Sequence, residues 1–385
     1  MKYNLKVIDL FSGSGGSAKG FENAGFSISG FVEIDKSANK SFKRNFPGAV
    51  EAEPGDITQL EGASLNRFLK QVKIDKDNTV ILACPPCQGF SSARRKNQRT
   101  TDRRNGLISE FVRLVKEIQP IAFVMENVPG LAKGIGKKLF EDTVDELKKI
   151  GYDNIQYSIL EVADYGVPER RKRLVLMGTR DNSIKLFLPA ISHGNPAKHD
   201  TSLPVWKTVR EQIGDMPRIK AGEQHPRDPL HKAASLSSLN LERMSSTPHD
   251  GGSRISWPAH LWLACHKNLK SGYTDVYGRM RWNDPSPTIT GGCAMISKGR
   301  YGHPEQDRGI SLREAARLQT FPDNFIFEGN FGEVAKQIGN AVPPLFAQKI
   351  AEALLKAIHD SRKNKKFLHS TVTKQKVNFN FGSSL

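Results

Sequence analysis

The sequence predicts an α/β fold, a doubly wound and mostly parallel sheet, joined to a second, smaller, loop-rich domain. Three observations predict it. Short apolar runs bounded by turn residues recur at Leu5–Leu10, Ile28–Val32, Thr79–Ala83 and Ile121–Met125, the pattern of strands buried in a sheet. Longer amphipathic stretches alternate with them near Ser17–Ala24, Lys36–Asn45, Leu107–Ile118 and Leu139–Ile150, and such alternation builds parallel sheets. Chemically loaded residues follow the runs: a glycine-rich turn after Leu10, Cys84 and Cys87 after Ala83, and Glu126 after Met125. Open α/β sheets build their sites at the carboxyl ends of strands.

Taken in order, the first run ends in Asp9-Leu10-Phe11 and enters the turn Ser12–Gly16, where glycines allow a tight approach of backbone to ligand. Glu33 follows the second run, and Gly55-Asp56-Ile57 follows a third strand. Ile155–Val162 and Arg173–Gly178 read as a closing pair of strands. Residues 190–307 are rich in Gly, Pro, Ser and His, and all four tryptophans, Trp206, Trp257, Trp262 and Trp282, lie there as apolar anchors. Periodicity returns at Ser311–Leu318, with Ser311 and Glu314 in the capping-box spacing. Pro343–Ile358 reads as a second long helix that starts on proline. These segments divide the chain into a sheet-bearing domain, 1–179, completed by 308–358, and a loop-rich second domain, 180–307. A basic tail, 359–385, is expected to be disordered.

The chain has 385 residues, enough for one large core or a core plus a smaller domain, and carries a net charge of +17 with pI near 9.7. So large an excess of Lys and Arg predicts a polyanionic partner. No apolar stretch approaches the roughly 20 residues that span a bilayer, and the N-terminus lacks a signal-peptide layout. Four cysteines, Cys84, Cys87, Cys265 and Cys293, are too few and too scattered for a disulfide scaffold, which points to a reducing cytoplasm.

Each motif has a plainer reading beside the functional one. Gly13-x-Gly15-x-x-Ala18 could be an ordinary strand–helix turn or a dinucleotide turn. With Glu33 and Asp56 at successive strand ends, it suits any adenosine cofactor. Cys84-Pro85-Pro86-Cys87 has CxxC spacing, yet it ends a strand of a larger sheet, unlike a thioredoxin motif. Zinc would need further ligands such as Cys265-His266. A buried, inert thiol suits Cys84, whereas Cys87, followed by a polar loop, reads as a nucleophile in need of activation. Residues 94–104, RRKNQRTTDRR, read as a solvated loop or as a mobile one closing over nucleic acid. Arg171 and Arg173 alternate along an extended segment, so they share a face and could donate to a base carbonyl or a phosphate. Gly339-Asn340 marks a close approach before the proline-started helix.

In this order the segments resemble the DNA (cytosine-5) methyltransferase family. DLFSGSGG resembles its cofactor loop, PPCQGFS its nucleophile loop, ENV its acidic motif and VPERRKR its Gln/Glu-x-Arg-x-Arg motif. RGISLREAARLQTFPDNF and QIGNAVPP resemble its last two motifs. The match covers 5–178 and 308–357, and Pro287-Thr288-Ile289 resembles the family's Thr-Leu element with Ile in place of Leu. Glu169 stands where many members have Gln.

The resemblance implies a class I S-adenosylmethionine-dependent methyltransferase fold, S-adenosyl-L-methionine as cofactor and cytosine C5 in double-stranded DNA as acceptor. It implies catalytic roles for Cys87, Glu126, Arg171 and Arg173. It lines the cofactor pocket with Phe11, Gly13, Gly15, Glu33, Ile34, Asp56, Ile57, Pro85, Leu107, Asn340 and Val342. DNA contacts are expected from Gln88, Ser91, Arg94, Arg95, Arg99, Arg254, Arg279, Arg281 and Thr288; no metal is expected. A cytoplasmic, nucleoid-associated monomer of the stand-alone bacterial or phage type is the expectation. It would be solitary or accompanied by a cognate restriction endonuclease encoded nearby. The rival readings are an RNA cytosine-5 methyltransferase, a catalytically silent DNA-binding relative and an NAD-dependent enzyme. The RNA reading lacks the Cys-Phe-Thr element of the tRNA-directed relative.

Overall fold

The computed structural model describes residues 5–86, 106–195, 197, 202–266 and 275–379, the last fourteen without their side chains. Cys87, Gln88, Ser91, Arg94, Arg95 and Arg99 lie outside the described residues.

The first half alternates strand and helix: β1 Lys6–Leu10, α1 Gly16–Asn23, β2 Ser27–Val32, α2 Lys36–Asn45, β3 Val50–Glu51, α3 Gly62–Gln71, β4 Thr79–Ala83, α4 Gly106–Ile118, β5 Ala122–Asn127, α5 Lys137–Lys149, β6 Asn154–Glu161 and β7 Lys172–Thr179. The strands form one seven-stranded sheet of order β3-β2-β1-β4-β5-β7-β6. Neighbours from β3 to β5 run parallel, and β7 inserts antiparallel between β5 and β6.

Side-chain alternation explains why the central strands read as continuous apolar runs. On one face Ile8, Leu10, Ile81, Ala83, Phe123 and Met125 pack with Phe68 of α3, Phe111 of α4 and Leu147 of α5. On the other, Leu5, Val7, Val80, Leu82, Ala122 and Val124 pack with Phe21 of α1 and with Phe346, Ile350 and Leu354 of the last helix. With both faces covered, each strand needs apolar residues at odd and even positions alike. The same parity puts Asp9, Cys84, Glu126, Arg171 and Arg173 on the second face, where the apolar ladder stops. Strand order reverses between β1 and β4, the position at which such sheets open a crevice.

The second half adds α6 Val209–Ile213, β8 Gln224–His225, β9 Asp228–Lys232, α7 Ser238–Ser245, α8 Leu312–Leu318, α9 Phe331–Asn340 and α10 Pro344–Phe379. Trp206, Trp257 and Trp282 are buried anchors, as their placement predicts. Met244, Trp257, Leu261, Tyr277 and Ile296 form a small cluster of their own. Val209, Ile213, Met280, Trp282 and Ile289 instead share a core with α8, α9 and Phe42 and Phe46 of α2 and its end. The Ser311–Glu314 capping box of α8 is present in both directions. Among the described residues no helix is long and apolar enough to cross a membrane.

The tail differs from the expectation of disorder. Helix α10 runs on from residue 358 to Phe379, because no Gly or Pro interrupts the chain after Pro344 and its residues are mostly good helix formers. Arg362 donates to the carbonyl of Asp77, and Lys365 pairs with Asp181 at 2.6 Å, tying the helix to the sheet.

Candidate active site

The β1–α1 turn is built on glycines that answer to different needs. Gly13 has φ +56° and open space where a Cβ would stand, whereas a Cβ on Gly15, at φ +99°, would fall 2.5 Å from the Phe46 ring. Gly13 thus presents backbone outward and Gly15 lets the turn seat on α2. The Gly13 N–H donates to Glu33 Oε2 at 2.7 Å, and the Asp35 N–H donates to Oε1 at 2.7 Å. One carboxyl therefore bridges the turns after β1 and β2. Burial raises its pKa against those hydrogen bonds. Ile34, next along, is 70% exposed. Phe11 holds φ +60°, a strained value for a bulky side chain.

Asp56 accepts from Thr58 N at 3.0 Å and from Thr58 Oγ1 at 2.8 Å, which caps a short 3-10 turn, and Ile57 is buried beneath it. A Cβ on Gly55 would lie 2.7 Å from the Glu33 carbonyl oxygen, so this turn crosses directly over Glu33. Leu107 is half-buried at the start of α4. Asn340 is exposed and Val342 buried, with the Val342 carbonyl oxygen 2.6 Å from where a Gly16 Cβ would stand. Of the residues expected around a cofactor, Gly13, Glu33 and the Gly55–Asp56 turn share one rim at the carboxyl ends of β1, β2 and β3, with Val342 packed against Gly16 of the β1–α1 turn.

Asp9, which the sequence marked only as a strand end, is fully buried on the same face. Ser17 Oγ donates to its Oδ2 at 3.1 Å, while Asp9 Oδ1 and the hydroxyls of Ser12 and Ser14 are buried without partners among the described residues. Burial raises the Asp9 pKa well up, with Ser17 opposing and the Glu33 charge adding to the rise.

Beside it, β4 ends in Cys84-Pro85-Pro86. Pro85 is buried, and its carbonyl accepts from Asn127 Nδ2 at 3.0 Å, which fastens the start of the following loop to β5. Asn127 was unassigned in the sequence although it belongs to the ENV segment. Burial pushes the Cys84 thiol far up, and the charges of Glu126 and Asp9 push it further. Cys84 is partly buried, and these effects favour its neutral thiol.

Glu126 is 9% exposed. Register places it opposite Val175, so Arg173 is its diagonal neighbour on one face. Arg173 Nε lies 2.6 Å from Glu126 Oε1, a close ion pair. Burial, then the nearby Arg171 charge, lowers the Arg173 pKa to about 10 against the pull of Glu126, which leaves it a cation at neutral pH.

Three arginines are placed otherwise than expected. Arg171 is 4% exposed and spends its guanidinium on carbonyls: Ile289 at 2.8 Å, Gly339 at 3.3 Å and Ala341 at 3.2 Å. It shares a face with Arg173, but its guanidinium is buried against these backbone carbonyls, which suits a supporting role better than the expected catalytic one. Arg279 is fully buried and donates to the carbonyls of Thr247, His303, Gln306 and Met244, with Asp307 alongside. Arg254 is 4% exposed. Alternation and charge cannot reveal that a loop folds over its own arginines, so the expected DNA contacts of Arg254 and Arg279 are withdrawn. Arg281 is exposed, and Thr288, half-buried, donates to the Arg170 carbonyl at 2.7 Å.

Comparison with known proteins agrees with this geometry. Residues 5–356 match the family described as C-5 cytosine-specific DNA methylase. The chain is 36% identical over 367 residues to the Type II methylase M.HgiDII of Herpetosiphon aurantiacus, covering 93% of this chain and 98% of that one. It is 37% identical over 354 residues to the Type II methyltransferase M1.HphI of Haemophilus parahaemolyticus, covering 92% and 87%. A prophage-encoded E. coli protein named as a DNA modification methyltransferase superposes with TM-score 0.69 at 26% identity, covering 92% of this chain and 100% of that one. A match over nearly the whole chain means that this chain belongs to the C-5 cytosine-specific DNA methylase family.

Proposed function

We propose that the chain is a sequence-specific, Type II DNA (cytosine-5) methyltransferase in which Cys87 is the nucleophile. The observation that carries this reading is the Glu126–Arg173 pair at 2.6 Å, standing beside the strand end that leads into Cys87.

The residues at the β1–α1 turn fit S-adenosyl-L-methionine. Asp9 Oδ1 and the Ser12 and Ser14 hydroxyls are buried polar atoms without partners among the described residues, a combination a polar ligand would relieve. Gly13 leaves room for backbone contact, Glu33 and Asp56 offer carboxylates for a ribose diol and an amino group, and exposed Ile34 offers an apolar surface to a flat ring. Phe11, Pro85, Leu107, Asn340 and Val342 would complete the pocket. Bound there, the cofactor supplies an electrophilic methyl group.

The chain's own residues supply the rest. The Cys87 thiolate adds to C6 of cytosine, which moves electron density towards C5. Glu126 faces N3 and shares a proton with it as that density builds. Arg173 orients Glu126 and donates to the O2 edge. After methylation a water-derived base takes the C5 proton, the C5–C6 double bond re-forms, and the C6–S bond breaks to release Cys87 as thiolate. The raised pKa of Cys84 keeps a second thiolate from competing. The target base is flipped out of the duplex to reach this crevice. Gln88, Ser91, Arg94, Arg95 and Arg99 would hold the opened strand, with Arg281 and Thr288 of the recognition domain, 180–307. A monomer, cytoplasmic and nucleoid-associated, with a cognate restriction endonuclease encoded nearby completes the reading.

The test is 5-methylcytosine mapping across the genome of a methylation-free bacterial host that expresses the chain, with Cys87→Ala as control. One short motif methylated only by the wild type is the expected result. Absence of new methylation from protein that binds S-adenosylmethionine would overturn the DNA reading in favour of RNA.

A further inference from the structure

The strip Ser286–Ile289 lies along Pro168–Arg171. Ser286 N donates to the Pro168 carbonyl and Arg170 N to the Ser286 carbonyl, each at 2.8 Å. Ile289 is held at both of its backbone groups: its N–H donates to Glu169 Oε1 at 2.6 Å, and its carbonyl accepts from Arg171 Nη1 at 2.8 Å. Glu169 is fully buried, and burial raises its pKa against the charge of Arg171.

The same guanidinium reaches across to the end of α9, at the carbonyls of Gly339 and Ala341. That end touches both functional regions. A Cβ on Gly339 would fall 1.9 Å from the Thr290 carbonyl carbon, and the Val342 carbonyl packs against Gly16 in the β1–α1 turn. One turn earlier, Lys336 Nζ holds Asp35 Oδ2 at 2.8 Å, next to Ile34. The cofactor rim, the end of α9 and the Thr288-Ile289 strip are therefore in series, with Arg171 as the shared donor.

We propose that Arg171 is a positioning residue that couples cofactor binding to DNA engagement. The inference rests on the reading of residues 340–342 as cofactor rim and of Thr288 as DNA-facing. A buried guanidinium with acceptors on two segments resists following one and releasing the other: the Arg171 Nε already lacks a partner among the described residues, and each acceptor lost adds to that cost. When a ligand fixes Asn340–Val342, the strip at 286–289 is fixed with it and the DNA surface is pre-organised. Coupling of this kind is reciprocal, so DNA tightens cofactor binding by the same factor.

The experiment measures duplex DNA affinity by fluorescence anisotropy with and without saturating S-adenosylhomocysteine, for wild type and Arg171→Lys. Lysine keeps the charge but offers a single nitrogen where the guanidinium offers a fork. Wild type should bind DNA about tenfold more tightly with the ligand, and the variant less than about twofold, while the variant's affinity for S-adenosylhomocysteine alone stays within about threefold. Equal coupling in the two proteins overturns the proposal. Amide hydrogen exchange on wild type alone gives a second arm that needs no variant to fold: S-adenosylhomocysteine without DNA should slow exchange across residues 286–291, and unchanged exchange there overturns the proposal. A wild type that fails to bind S-adenosylhomocysteine overturns the cofactor reading itself; one that binds it without coupling overturns only this inference.

Discussion

Arg308 and Glu314 form a two-pronged ion pair with both side chains fully buried, Nη1–Oε2 and Nη2–Oε1 each at 2.7 Å. The same carboxylate accepts from Ser311 N at 2.7 Å to close the capping box, and Arg308 Nε reaches the Ile219 carbonyl at 3.1 Å. The pair therefore joins segment 180–307 to α8. Burial alone would raise the Glu314 pKa, but the hydrogen bonds and charge of Arg308 outweigh it and hold the group at about 2.

A carboxyl held below its ordinary 4.5 contributes stability that is complete above about 4.5 and is lost as pH falls through about 2. The contribution is on the order of 3 kcal/mol. Guanidinium midpoints of the wild type should drop across that window. Glu314→Gln should be destabilised by about 3–5 kcal/mol at neutral pH, because it leaves Arg308 buried and uncompensated. It should also show a shallower acid drop. An equally steep drop in Glu314→Gln would place the acid sensitivity elsewhere.

Glu126→Gln keeps the shape of the site and removes the carboxyl that would share a proton with N3 of the base. Its kcat should fall roughly 10²–10⁴-fold with DNA affinity held within a few-fold. Single-turnover methylation and anisotropy separate the two. A loss confined to binding would make Glu126 a docking group and not an acid.

Glu33→Ala frees the N–H groups of Gly13 and Asp35 that now share one carboxyl. Affinity for S-adenosylhomocysteine should drop at least about tenfold, a loss of about 1.4 kcal/mol or more, with DNA binding in its absence unchanged. Calorimetry reads the first quantity. An unaltered cofactor affinity would remove Glu33 from the pocket.

Arg279→Ala and Arg281→Ala should part company. Arg279 fills a buried polar nest, so its removal should destabilise by about 3–5 kcal/mol. Arg281→Ala should leave stability within about 0.5 kcal/mol and weaken DNA binding. Denaturation and anisotropy on both variants check this. A destabilised Arg281→Ala with normal DNA affinity would reverse the assignment.

Local signals carried much of the architecture. The runs Thr79–Ala83 and Lys36–Asn45 coincide with β4 and α2 to the residue, because an apolar run bounded by turns and an acidic N-cap are short-range features. The capping box at Ser311 was legible for the same reason. Helix α9 was not marked, although Asn330 and Glu333 form an equivalent box. Helix α3 starts on Glu61, a weak N-cap signal. The length of α10 was missed because polar, basic composition was taken as disorder when no helix breaker was present.

What the sequence by itself determined is the chemistry: a thiol after β4, a carboxylate near the end of β5 and arginines at the start of β7, each placed by the strand end beside it. Period-two alternation also put Glu126 and Arg173 on one face. Only the tertiary structure decided which arginines are free to act. Arg171 and Arg279 carry the same charge and flexible stem as Arg173 and Arg281, and no local pattern separates them. They are turned inward by carbonyls more than twenty residues away in the chain, and by more than a hundred for Arg171. A guanidinium goes to whichever acceptors the fold leaves buried and unpaired, and those exist only once the segments have packed together.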